Sequence, residues 1–84
     1  MPPYPIEWLD EAKDDIRALD RPTAMRVFDA VLYFARAGAG DVTALHGDMA
    51  GAARLRVGDY RLLFTLQDGA MRIFGVRHRS QVYR

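Results

Sequence analysis

Seven arginines stand between positions 54 and 84, at Arg54, Arg56, Arg61, Arg72, Arg77, Arg79 and Arg84, and no lysine accompanies them. A guanidinium keeps its proton throughout the physiological range and presents five N–H donors in a planar fork, so it holds and stabilises a phosphate but does not move protons. Chemistry at a phosphate built on such groups needs a proton carrier of another kind. Two side chains of this stretch are candidates. Tyr83 becomes one if nearby guanidinium groups favour its phenolate, and His78, between Arg77 and Arg79, can take up a proton as a neutral imidazole. His46, in "LHGD", reads as a loop or core histidine that satisfies backbone groups.

Strands must position these arginines. Residues 53–57, 60–67 and 70–77 have the composition and alternation of strands, joined by turns at Gly58-Asp59 and Asp68-Gly69. A tight turn at 58–59 sets Arg54, Arg56 and Arg61 on one face of the sheet. Leu55, Tyr60, Leu62, Phe64, Leu66, Met71 and Ile73 take the opposite parity and form the expected core, while Leu63, Phe74 and Val76 join the arginine face. Like charges that face one another across strands destabilise a sheet. The acidic residues of 43–84 are Asp48, Asp59 and Asp68, all in expected loops or turns. The arginine face therefore reads as an anion-binding surface rather than as a solvated face that blocks aggregation. A single bound phosphate would call for a glycine-rich loop ahead of a helix, and none occurs. Guanidinium groups spread along strands, with Phe74 and Tyr83 beside them, fit the repeated phosphates and stackable bases of single-stranded RNA.

The first half supplies the other layer. Tyr4, Ile6 and Trp8 alternate with Pro5 and Glu7, which predicts a short edge strand, since Pro5 has no N–H to donate. Residues 10–19 open with "DEAKDD", acidic as suits a helix N-terminus, and carry Ala12, Ile16 and Leu19 at helical spacing. Asp20 as a cap and Pro22 in the first turn start a second helix over 21–37, which ends at the glycines of "AGAG". Trp8 and the Phe28/Phe34 stripe are core or partner contacts. The order β-α-α-β-β-β gives an α+β fold over one domain, 1–84. A two-helix hairpin covers one face of a mostly antiparallel four-stranded sheet, and the other face stays open.

The 84 residues are 50% hydrophobic and 27% charged, the proportions of a globular chain. With no cysteine and two histidines, a disulfide framework and a structural zinc site are not expected, and metal-free, cofactor-free chemistry is. The start "MPPYPIEW" has neither the basic nor the apolar region of a secretory signal, which fits a cytoplasmic location. Residues 1–42 hold five Lys/Arg against eight Asp/Glu, and residues 43–84 seven against three, so the halves carry −3 and +4. Such a skew suggests a polyanion-facing surface in the second half.

The pieces "LHGDMAGAARLRVGDYRLLF" and "MRIFGVRHRSQVYR" resemble the RelE family of bacterial toxins, within the RelE/ParE superfamily, and the element order extends the likeness over nearly the whole chain. The pattern "RLRxGDYRxxF" is common to both branches, whereas "RHRSxxYR" is closer to the ribonuclease branch. The resemblance implies a ribosome-dependent mRNA endoribonuclease that acts in the A site of the 70S ribosome, inhibits translation and is neutralised by a cognate antitoxin. The reaction there is metal-free, with the 2′-hydroxyl attacking the adjacent phosphate. The family's functional positions fall on Arg54, Arg61, Arg77 and Tyr83, with Arg56 and Arg79 as further RNA contacts and His78 as the second candidate base. A basic residue expected two before Arg54 is replaced by Ala52, and the lysine-rich helices of the family are reduced here to Lys13. A gyrase-binding toxin of the ParE kind, with no nuclease activity, shares the same fold and the same "YR" strand.

Overall fold

The alternation at Tyr4, Ile6 and Trp8 is realised as strand β1 (Ile6–Trp8). The structure, a computed structural model, describes residues 1–82. Helix α1 (Asp10–Arg17) follows with Asp10 and Glu11 in its first turn, where carboxylates meet the positive end of the helix dipole. Helix α2 (Arg21–Ala37) is capped by Asp20, whose carboxylate accepts from the Thr23 backbone N–H at 3.3 Å and from the Thr23 hydroxyl at 2.6 Å. It ends at Gly38, whose φ of 71° is the left-handed conformation that favours glycine. Val27, Val31, Phe34 and Ala35 form its buried face.

The chain then forms β2 (Val42–Ala44), a 3-10 turn (Gly47–Met49), β3 (Ala52–Val57), β4 (Tyr60–Gln67), β5 (Ala70–His78) and the short helix α3 (Arg79–Val82). The sheet order is β1-β5-β4-β3-β2, with β1 parallel to β5 and the other pairs antiparallel. Among the described residues it thus has five strands where the sequence predicts four. Every residue of β2 is exposed, so no burial alternation marks it, and backbone pairing of Thr43 with Arg54 holds it in place. The first helix ends at Arg17, short of the expected Leu19.

The core is α2 laid on the sheet. Leu62, Phe64, Met71 and Ile73 are fully buried beneath Val27 and Val31, and the Phe34 ring lies 5.2 Å from Phe64, centroid to centroid. Burial of such side chains stabilises the fold by about 1.5–3 kcal/mol each. Two expected core residues sit at the margin: Tyr60 is half-buried, and Leu66, near the end of β4, is exposed.

One irregularity governs the rest. In the β4–β5 ladder Phe64 pairs with Ile73 but Leu63 pairs with Gly75, so Phe74 is an extra residue, a β-bulge. The bulge shifts the side-chain parity of β5 by one. Val76, expected on the arginine face, is consequently buried in the core opposite Leu62, and Arg77 aligns with Arg61 on the other face.

Two outcomes follow from this architecture. Leu62→Ala should destabilise the fold by about 2–5 kcal/mol in urea denaturation, the range for emptying a packed leucine site. The Thr23 hydroxyl, then its backbone N–H, hold the Asp20 carboxyl below its ordinary pKa of 3.8. A lowered folded-state pKa gives stability that is present above the unfolded value and is lost as pH falls through the folded one. Asp20→Asn keeps a cap without the titration, so its Tm deficit relative to the parent should shrink as the pH is lowered from about 6 to below about 4.

Candidate functional site

Opposite the core, cross-strand register sets out two rows of side chains: Arg56, Arg61 and Arg77 in one, Arg54, Leu63 and Gly75 in the next. Three guanidinium groups side by side would repel, and the structure separates them. Arg61 is buried at 6% exposure, and its Nη1 donates to the carbonyl oxygens of Gly58 and Tyr60, at 2.9 and 3.0 Å. Its head is thus folded back on the β3–β4 turn. Arg56 leans towards Asp41, at 3.9 Å, and remains exposed. Arg77 runs to the open edge of the sheet, where it pairs with Asp15 of α1 and lies 3.7 Å from Glu11.

Arginines beyond these rows are also matched with carboxylates. Arg72 Nε lies 3.1 Å from Glu7 of the neighbouring β1, and Arg79, at the start of α3, lies 3.7 Å from Asp59. Four of the five carboxylates in these pairs, Glu7, Glu11, Asp15 and Asp41, come from residues 1–42. The charge skew between the halves is therefore largely paired in space.

A cleft of about 350 Å³ opens on this face, lined by Leu45, His46, Met49, Arg54, Leu63, Arg77 and Gln81. Three parts of the chain supply them. The β2–β3 connection contributes Leu45, His46 and Met49, the middle strands contribute Arg54, Leu63 and Arg77, and α3 contributes Gln81. Gly47, at a φ of 66°, turns the chain immediately after His46. The cleft thus holds two guanidinium groups, one imidazole, a side-chain amide and an apolar floor. It can bind a phosphate beside a flat apolar group and offers one proton-exchanging side chain.

The sequence-predicted residues divide accordingly. Arg54 and Arg77 meet in the cleft, while Arg61 lies in the same face but is directed into the turn, and Arg56 and Arg79 sit at exposed ion pairs outside it. His78 takes the opposite parity to Arg77 and packs edge-on against the Tyr60 ring at 5.4 Å. Its Nδ1 accepts from the Ser80 backbone N–H at 3.2 Å and lies 2.9 Å from the Ser80 hydroxyl. This places it away from the arginine cleft. Tyr83 lies outside the described residues. His46, Met49 and Gln81 were not singled out for the site. The signal for His46 and Met49 is that the glycine-flanked "LHGDMAG" must lead straight back into the strand that carries Arg54, and Gln81 lies within "RHRSQVYR", beside the predicted site residues. Among the described residues no cluster of histidines and carboxylates could hold a metal ion, and no helix is long and apolar enough to cross a membrane.

The family model for the ParE toxin of the type II toxin-antitoxin system parDE matches residues 6–83. The chain belongs to this toxin family. Solved structures extend the likeness across the RelE/ParE superfamily. One is the toxin-antitoxin complex RelBE2 from Mycobacterium tuberculosis, 29% identical with a TM-score of 0.69, over 94% of this chain and 100% of that one. The RelE-RelB complex from Pyrococcus horikoshii shares the fold at 20% identity with a TM-score of 0.76, over 93% and 97% of the two chains. The YoeB-YefM complex from Staphylococcus aureus does so at 18% identity and 0.73, over 89% and 95%. Curated proteins give no match. The chain is thus a type II toxin with a RelE-like fold.

In a toxin of this geometry Arg61 acts first on the fold. Arg61→Met retains an apolar stem but removes both hydrogen bonds to the turn. It should destabilise the protein by about 1–3 kcal/mol, measured by chemical denaturation.

Proposed function

We propose that this toxin is a ribosome-dependent mRNA endoribonuclease that stops translation. The observation that carries this reading is the convergence of Arg54, Arg77 and His46 on one cleft of the open sheet face. In the proposed reaction the 2′-oxygen of a nucleotide forms a bond to the adjacent phosphorus and the bond to the 5′-oxygen breaks. The 2′-hydroxyl proton passes to a base, and the leaving oxygen takes up a proton. Negative charge peaks at the pentavalent phosphorus, where fixed guanidinium groups stabilise it most and so accelerate the step. Arg54 and Arg77 take that role, and Arg61 supports it by fixing the turn beneath them. Arg56 and Arg79, exposed at the borders of the face, contact the RNA backbone.

The base is assigned to the cleft side of the sheet. His78 packs against Tyr60 on the other side, so among the described residues of the cleft His46 has the suitable chemistry, and Tyr83 is the second candidate on its sequence alone. The likeness of "RHRSQVYR" to the ribonuclease branch supports Tyr83, and the geometry of the cleft supports His46. The neutralising partner is a cognate antitoxin, as in the relatives solved as toxin-antitoxin complexes. An acidic amphipathic segment suits the basic cleft and the apolar groove of about 300 Å³ beside Val42, Phe64 and Leu66.

A second reading, gyrase poisoning without cleavage, is favoured by the ParE family match. Controlled expression with mapping of transcript ends, with and without translating ribosomes, separates the two. The nuclease reading expects new 5′ ends within translated messages, reduced at least tenfold by Arg54→Ala and lowered by His46→Ala or Tyr83→Phe, whichever removes the base. Intact messages together with DNA breaks would establish the gyrase reading instead.

A further inference from the structure

The Phe74 bulge leaves β5 with an unusual edge. Strand β1 pairs with it at Met71, Arg72 and Ile73, so beyond Ile73 the edge has no strand neighbour among the described residues. The backbone N–H of Val76 points to this open side, and it donates to Asp15 Oδ2 at 2.9 Å. The same carboxylate oxygen accepts from Arg77 Nη1. The Arg77 side chain reaches it by lying flat over Gly75, where a Cβ would stand 3.1 Å from Nη1 and 3.4 Å from Cζ. One carboxylate of α1 thus satisfies an edge amide and fixes the direction of a cleft guanidinium, with Glu11 one helical turn earlier facing the other terminal nitrogen.

We propose that Asp15 is a positioning residue for Arg77: it holds the guanidinium along the cleft wall and cancels part of its charge, so α1 sets how strongly the cleft binds phosphate. The proposal rests on the reading of this cleft as the RNA site. Asp15 makes no contact with the cleft itself and acts through Arg77. A bound phosphate has to share Arg77 with Asp15, which limits unspecific retention of nucleic acid while keeping the guanidinium in one orientation.

The test uses the full chain and a single-stranded oligoribonucleotide, with affinity measured across a range of salt. Asp15→Asn keeps an oxygen acceptor for the Val76 amide but removes the counter-charge. It should tighten binding several-fold at low salt and steepen the logarithmic salt dependence by up to roughly 0.7, the increment for one additional phosphate neutralised on a single strand. Asp14→Asn is the control. It removes the same charge from the same helix, where Asp14 is exposed and paired with Arg17, and should leave affinity and slope unchanged. In parallel, the terminal nitrogens of Arg77 should give separate NMR signals in the parent protein and merge in Asp15→Asn as the side chain becomes free to rotate.

Equal effects of Asp14→Asn and Asp15→Asn would reduce the change to net charge and overturn the proposal. So would an Asp15→Asn variant that lowers affinity only in proportion to its unfolded fraction, as a purely structural role requires. Failure of the cleft reading looks different: Arg54→Ala would then leave oligoribonucleotide binding intact. If Arg54→Ala weakens binding while Asp15→Asn changes neither the slope nor the Arg77 signals, the cleft stands and the role of Asp15 falls.

Discussion

The arrangement of the open sheet face depends on a single carboxylate at the sheet edge. Asp15 receives the Val76 amide and the Arg77 guanidinium together. A buried or half-buried amide without a partner is costly, and an edge strand with unpaired donors invites pairing with other chains. Where β1 ends, α1 takes over the edge through this side chain. The parallel pairing of β1 with β5 makes that possible, because it delivers the start of α1 to the part of β5 that lies beyond the bulge. Helix, edge and cleft are therefore one construction.

The same pairing explains the electrostatics. A row of Arg56, Arg61 and Arg77 is unfavourable as a bare array, yet each of the three leaves the row in a different direction: to Asp41, to the turn carbonyls of Gly58 and Tyr60, and to Asp15. Pairs as exposed as Arg56 with Asp41 contribute little to stability, but they decide where positive charge remains available. Arg54 and Arg77 meet on the cleft between the β2–β3 connection and α3. The cleft sets an apolar floor at Leu63 beside the charged side chains of Arg54 and Arg77.

Much of this was legible in the sequence. The helix over Arg21–Ala37 announces itself through Asp20, Pro22, the apolar stripe and Gly38, and the parity of Leu55, Leu62, Phe64, Met71 and Ile73 identifies the core. The bulge was not legible, because Phe74 fits either face of a regular strand and only the pairing with β4 shows that it is the extra residue. Val76 was for that reason placed on the wrong face. The shared face of Arg54, Arg56 and Arg61 follows from period two alone, whereas the direction of each guanidinium depends on carboxylates distant in sequence. Asp15 and Arg77 are 62 positions apart, and no local pattern links them. His46 entered the cleft for a similar reason: a loop residue is placed by where its loop returns.

Native-state hydrogen exchange of the Val76 amide tests the central claim, that Asp15 replaces a strand at the open edge of β5. This amide should exchange as slowly as those in the centre of the sheet, although no described strand covers it, and Asp15→Ala should speed its exchange more than that of any β4 amide. A Val76 amide that exchanges at the rate of an exposed edge position in the parent protein would contradict the account.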